Sequence, residues 1–542
     1  MTFNKPLIFI FFLSLLNLKA QTQFTQQDSL RGSVTPERAW WDVTKNTLDV
    51  TIFPNNKSIS GSNTITYKVI QSYQTLQLEL QAPLVIDSIL QDKKTLKYNQ
   101  KGYSYFVDLQ KKQIPNALEN LTIFYHGKPQ EAKKAPWDGG LVWQKDPKGN
   151  HFIASANQQI GASVWWPCKD HPADEMESAK ITITCPNPLM NVSNGRSTSI
   201  HKNNNNTTSY TWEVTNPINN YGISINIANY ANFSETYKGL KGDLDCNYFV
   251  LKENVNKAKK QFKDVPKMLT AFEYWFGAYP FYKDSYKMVE TPYLGMEHQS
   301  CVAYGNNYEN GYLGKPMGDS KWGSKFDFII IHESGHEWFA NSISCQDVAD
   351  MWIHEAFTTY SESLFLDYHY GTQAANEYVQ GIQSLVRNDK PIIGAYNVHN
   401  HGSSDMYFKG SLMLHTLRQI VNDDDKWRNI LLGINKTFYH KAITGQQMID
   451  YINQQIEKVD LEGFFNQYLK TTKIPQLSVK QVKGNIYYKW TNVVVNFNIP
   501  IKIYLNEKEI WLQPKAKNWK KIKGNLNDLK VDKNFYVQKQ NL

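Results

Sequence analysis

Two histidines four residues apart, His332 and His336, flank Glu333 in the run Ile329 to Phe339 (IIIHESGHEWF). Residues four apart project from one face of a helix. Both imidazoles can therefore meet one metal ion, and the Glu333 carboxylate lies beside it, within reach of a water at that ion. The apolar run before the pair and Trp338-Phe339 after it describe a helix buried on most sides, as a rigid metal platform would be. With 13 histidines in 542 residues the five-residue pattern arises by chance in roughly one such chain in a hundred. Two structural histidines on a core helix is the competing reading until more ligands are found.

A catalytic zinc takes three protein ligands and leaves a fourth position open. Glu355 stands nineteen residues past His336, in a second helix-patterned segment, Trp352 to Glu362 (WIHEAFTTYSE). It would complete a set of two histidines and one carboxylate. Glu362, two turns further along the same face, is expected to accept a hydrogen bond from a ligand imidazole. An ordinary surface carboxylate is the alternative for that position.

This arrangement resembles the M1 family of zinc aminopeptidases, the gluzincins related to aminopeptidase N and leukotriene A4 hydrolase. Three further segments carry the likeness. Leu294-Gly295-Met296-Glu297-His298 stands where the family has Gly-x-Met-Glu-Asn, with Leu294 for the first glycine and His298 for the asparagine. The resemblance implies an edge strand, Gly295-Met296, that pairs with the substrate backbone, with Met296 a wall of the side-chain pocket. It also implies that Glu297 anchors the free α-amine. Tyr407-Phe408-Lys409-Gly410 matches the Tyr-x-Lys-Gly segment whose tyrosine stabilises the oxyanion, here 52 residues past Glu355. Trp166-Pro167-Cys168-Lys169-Asp170-His171-Pro172 resembles the landmark Phe-Pro-Cys-x-Asp-Glu-Pro. Nine residues before its proline the family places a Glu or Gln on the substrate amine, which is Gln158 here, with Gln159 the neighbouring register. The arginine usual before the landmark is replaced by Ser163.

These residues need elements to hold them. Residues 1–20 read as a signal peptide: Lys5 ends a short basic region, residues 6–18 are an apolar core, and Leu18-Lys19-Ala20 precedes Gln21. An uncleaved anchor is the alternative, although about thirteen residues are short for a span. Residues 21–247 carry period-two alternation, as in Asn63 to Ile70 (NTITYKVI) and Ile181 to Thr184, bounded by turn residues. That is an antiparallel β saddle or sandwich, with the polar run 201–209 a hairpin tip or loop. Residues 248–473 turn helical, at 254–276, 355–370, 411–421, 426–438 and 446–456. That is an α/β segment ending in a helical half, and the resemblance implies a thermolysin-like zinc catalytic domain. Residues 474–542 return to strands at 476–482, 486–490, 493–497 and 501–505, a small β-sandwich. The whole is a multidomain α+β protein, resembling short family members without the large helical C-terminal domain.

Composition narrows the function classes. A hydrophobic content of 41% excludes wholesale disorder. The formal charge of +9 is scattered, so no compact basic block marks a nucleic-acid partner, and the late lysines (Lys515, Lys517, Lys520, Lys521, Lys523) are a solvated face. Five cysteines without a Cys-x-x-Cys pair make no disulfide framework and no zinc knuckle, and permit one or two bridges at most. No later segment approaches transmembrane length, so stable membrane insertion is not expected. The expected protein is an exported monomer, periplasmic or secreted, carrying one Zn2+ and removing the N-terminal residue from peptides with a free N-terminus. The alternatives are an endopeptidase or epoxide-hydrolase-like enzyme on the same scaffold, or a non-catalytic peptide-binding relative.

Overall fold

The computed structural model describes residues 23–456 and 459–542; the leader expected at 1–20 lies outside them. Strand alternation builds the first region. Trp41–Phe53, Ser58–Val69, Leu118–Gly127, Ser178–Pro186 and Thr207–Val214 form the body of an eight-stranded sheet. Along Ser178–Pro186 every second residue is buried, as a half-covered sheet demands. Neighbours run antiparallel except Trp41–Phe53 beside Ser178–Pro186, where Leu48 lies parallel to Ile181. The polar run is a hairpin tip: Arg196–Lys202 pairs with Thr207–Val214 around it. A second, four-stranded sheet includes His151–Ala156, the strand that leads directly into Gln158. A tryptophan-rich core that includes Trp40, Trp41, Trp165 and Trp166 joins these layers.

The middle region begins with a five-stranded sheet in the order Tyr230–Gly239, Gly242–Leu251, Tyr286–Glu290, Val302–Tyr304, Gly295–Met296. Its last member is the edge strand, antiparallel to Val302–Tyr304 through Gly295 opposite Tyr304 and Met296 opposite Ala303. The helix expected over 254–276 is two helices, Val255–Gln261 and Asp264–Phe276. Pro266 explains the break. It has no N–H for the Phe262 carbonyl and would clash with it inside a helix, but is accommodated in a first turn. Phe262 turns inward instead and packs edge-on against Tyr304.

The helices that matter for the site are Phe328–Gly335 and Trp352–Tyr370, with Phe408–Val421 against the latter. Two glycines set these approaches. A Cβ at Gly335 would lie 2.7 Å from Ser361 Oγ, and one at Gly410 2.6 Å from Ala356 Cβ. Residues 474–542 form two sheets, one containing Gln476–Val482 and Asn485–Thr491, the other Ile501–Leu505, Lys508–Leu512 and Leu529–Val531. The strand expected at 493–497 is absent. Gln467 Oε1 takes the Val494 N–H (2.7 Å), and Phe497 N–H returns to Val494 O, so this stretch turns back onto a helix instead of joining a sheet. All five cysteines are buried and unbridged.

Candidate active site

The first helix is fixed at its start. Asp327 caps it, its Oδ1 accepting the Ile329 and Ile330 N–H groups at 3.1 and 3.3 Å, while Tyr304 Oη donates to Oδ2 at 2.7 Å. All eight residues of Phe328–Gly335 are buried. The helix ends at Gly335, but His336 keeps right-handed dihedrals (φ −63°, ψ −17°), and the two imidazole centroids lie 5.0 Å apart.

Each ring is turned by its Nδ1. His332 Nδ1 lies 2.7 Å from Glu362 Oε1, and Tyr378 donates its hydroxyl to the other Glu362 oxygen. Glu362 has no exposed surface, so the surface-carboxylate alternative falls. His336 Nδ1 lies 2.9 Å from the Phe339 carbonyl and 3.1 Å from Thr358 Oγ1. With both Nδ1 atoms engaged, both Nε2 atoms face Glu355, 3.9 Å from His332 and 3.4 Å from His336 to the same oxygen, Oε2. That oxygen is buried with no hydrogen-bond partner.

These observations test whether a metal fits. Burial acts to lower the His336 pKa, yet Glu355, Glu297 and Glu333 outweigh it and raise it to about 10. Burial, with His336 adding to it, pushes His332 to about 3. Burial raises Glu333 well above the usual carboxylate range, with Glu297 and Glu355 adding to the shift against His336. A buried pocket with this excess of carboxylate calls for a cation. The His332, His336 and Glu355 donor atoms lie within 4.8 Å of one another. Two neutral imidazoles and one carboxylate match a catalytic zinc with one open position. The donor set fits.

Glu333 leans on the edge strand. A Cβ at Gly295 would come within 3.1 Å of Glu333 Oε1 and 2.8 Å of Ile329 Cγ2, so the strand approaches the helix only because that position is glycine. Met296 is buried in a small apolar cluster with Val142, Ala154, Ala156, Tyr293 and Ala303, and it lines the cleft. Glu297 is buried beside the metal set, its carboxylate within 4.8 Å of Glu333 and His336 donor atoms. Gln158 reaches across from the first region. Its Nε2 donates to Glu297 Oε1 at 2.6 Å and to Glu355 Oε1 at 3.0 Å. His298, which replaces the asparagine of the motif, is fully buried and neutral, its pKa pushed to about 3 by burial.

Tyr407 closes the other side. Its ring stacks on His332, with centroids 6.0 Å apart and planes 22° apart. Burial, then the Glu355 and Glu297 carboxylates, push its phenol well above the ordinary value, so it remains a donor. Lys409 and Gly410 explain the rest of that motif. Lys409 is buried and donates to the Thr471 carbonyl at 2.8 Å, and Gly410 lets its helix sit against the one bearing Glu355. The resulting cleft has a volume of about 240 Å³. Leu294, Met296, Tyr312, Met317, Phe328 and Phe408 supply its apolar walls.

All the sequence-predicted site residues thus come together around one cleft. Sequence reasoning missed three others. Asn341 donates to the Glu297 backbone carbonyl at 2.9 Å. Tyr221 is half-buried against the Met296 cluster, its hydroxyl enclosed near Glu297. Arg31 donates to the backbone beside Gln158. None belongs to a recognisable spacing, and two of the three act on main-chain carbonyls, which leave no pattern in side-chain types.

Comparison with known proteins agrees with this geometry. The model of the peptidase M1 N-terminal domain matches residues 42–221, and that of the peptidase family M1 domain matches residues 261–468. A probable aminopeptidase 2 of Sulfurisphaera tokodaii is 19% identical over 497 residues, covering 86% of this chain and 60% of that protein. Human aminopeptidase B is 21% identical over 369 residues, covering 62% of this chain and 52% of its own length. The chain therefore spans little more than half the length of these curated relatives. The crystal structure of an M1 zinc metallopeptidase from Deinococcus radiodurans superposes with a TM-score of 0.69 at 19% identity, covering 81% of this chain and 95% of that one. Two successive domain models, together spanning well over half of the 542 residues, the second enclosing every residue of the metal set, show that the chain belongs to peptidase family M1.

Proposed function

We propose that the protein is an exported zinc aminopeptidase that releases the N-terminal residue of peptides with a free N-terminus. The observation that carries this reading is Glu297, buried and paired with Gln158 within 4.8 Å of the Glu333 and His336 donor atoms. A substrate ammonium seated there leaves room for a single residue between anchor and cut. Residues His332, His336 and Glu355 would hold the ion. Zinc, when bound, supplies a lowered pKa for water and polarisation of the scissile carbonyl.

The chain's own groups do the rest. Gly295-Met296, free on its outer side, offers an edge on which the substrate backbone can pair. Glu333 takes a proton from the attacking water and hands it to the departing amine. The Tyr407 hydroxyl donates to the oxygen where negative charge develops, a contribution of about 3 kcal/mol for one such donor. The basic, apolar N-terminal stretch supports export, and no helix among the described residues is long and apolar enough to cross a membrane.

The reading is tested by metal removal. Chelated protein should lose hydrolysis of aminoacyl nitroanilides and regain it with one equivalent of zinc. Full activity in chelated, metal-free protein would sink it.

A further inference from the structure

The loop 157–161 that presents Gln158 is conformationally costly. Gln159 has φ +63°, in the left-handed region, and Gly161 has φ +87°, where a Cβ would lie 2.2 Å from Asp170 Oδ2. Two of its carbonyls are held by side chains from elsewhere. Gln81 Nε2 donates to Ile160 O at 2.7 Å, and Arg31 Nη2 donates to Gln159 O at 2.7 Å. The Arg31 bond bears on the residue immediately after Gln158.

Arg31 belongs to the short helix Gln26–Gly32, which the fold pins on both sides. Arg38, fully buried, pairs with Glu79 at 2.7 Å and donates to the carbonyls of Leu30, Arg31 and Ser33. The Asp28 carbonyl accepts the His399 N–H at 3.1 Å, and a Cβ at Gly32 would lie 2.1 Å from the Val398 backbone. This helix therefore sits where the first region meets the 398–399 segment of the catalytic domain. Its guanidinium points at the loop, close to Asp170, in the neighbourhood where Ser163 stands in place of the family's arginine. Ser163 itself donates to Asp170 Oδ2 at 2.6 Å.

Resting on the aminopeptidase reading, we propose that Arg31 is a positioning residue: through the Gln159 carbonyl it holds Gln158 against Glu297, and so sets affinity for the substrate ammonium. A charged donor on a partly buried carbonyl is among the stronger protein hydrogen bonds. Its loss frees a loop that already stores strain, and Gln158 then spends time away from Glu297.

The test uses the full zinc-loaded protein with Arg31→Ala, Arg31→Lys, Gln158→Ala and the Arg31→Ala/Gln158→Ala double variant. KM and kcat on a leucyl nitroanilide are measured with zinc content and Tm. Arg31→Ala should raise KM about five- to tenfold with kcat within about twofold and zinc retained. Arg31→Lys, which keeps charge and a donor, should recover part of that loss. In the Gln158→Ala background the Arg31 change should add nothing, since its route is already gone. The proposal is overturned alone if Gln158→Ala raises KM while Arg31→Ala does not, or if the two effects multiply. It is also overturned if Arg31→Ala lowers Tm and kcat together with KM unmoved, the mark of a merely structural role. If Gln158→Ala leaves KM unchanged, the ammonium reading of Gln158 itself fails, and Arg31 has nothing to position.

Discussion

The two ends of the cleft are built in different ways. At the metal end, three donors come from two consecutive helices within 24 residues, His332 to Glu355, and each imidazole is locked by a second contact of its own. At the end proposed to take the substrate ammonium, Glu297 directly follows a short edge strand and Gln158 comes from another region, 139 residues away in sequence. Two helices in contact can hold donors rigidly. A loop and a strand from separate regions need outside ties, supplied here by Asn341 on Glu297 and by Gln81 and Arg31 on the loop. The metal end should therefore control turnover, and the ammonium end affinity and choice of substrate.

The sharpest way to break that division is Glu333→Gln, which keeps shape and removes the base. Turnover should fall about 10²–10⁴-fold while zinc content and KM stay near the parent values. A variant that turns over normally would remove Glu333 from the mechanism. Next in size, Glu297→Ala should lower kcat/KM for unblocked peptides about 10–100-fold, mostly through KM, with zinc retained. Loss expressed wholly in kcat would show that the two ends are not separable.

A smaller effect sharpens the metal end. Glu362→Gln weakens the acceptor for His332 Nδ1–H, so competition with a chelator should show zinc affinity reduced about 10–100-fold. The same titration carries a pH sign. His336, held at about 10 in the metal-free cluster, must shed its proton to bind metal. Zinc binding should thus weaken as pH falls below about 10, by up to about tenfold per unit. Affinity independent of pH between 6 and 9 would show that the carboxylates do not charge His336.

How far the molecule was readable before folding follows the same contrast. The metal end is local, and a helix converts spacing into direction, so His332, His336, Glu355 and even Glu362 could be placed from the chain alone. Glu297, Tyr407 and Gln158 were legible only through segments resembling a family, because nothing in their own surroundings states that they meet. The alternating strands of the first region were plain from period two, yet the parallel pairing of Trp41–Phe53 with Ser178–Pro186 was not, since alternation fixes a face and not a neighbour. The break before Pro266 was written in the sequence and masked by the apolar positions on both sides of it. Val493 to Phe497 has strand composition, but Gln467 holds it on a helix by donating to the Asn492 carbonyl and accepting the Val494 N–H. Arg31 and Asn341 work on backbone carbonyls, which any donor could satisfy, so no residue pattern announces them.

The central claim is that Glu297 and Gln158 read a free ammonium one residue from the metal. It is tested most directly by giving the zinc-loaded enzyme two peptides that differ only in N-acetylation. The free peptide should lose its first residue stepwise, while the acetylated one is cleaved at least about 100-fold more slowly. Equal cleavage of both, or a cut inside the acetylated chain, would contradict it and make the protein an endopeptidase.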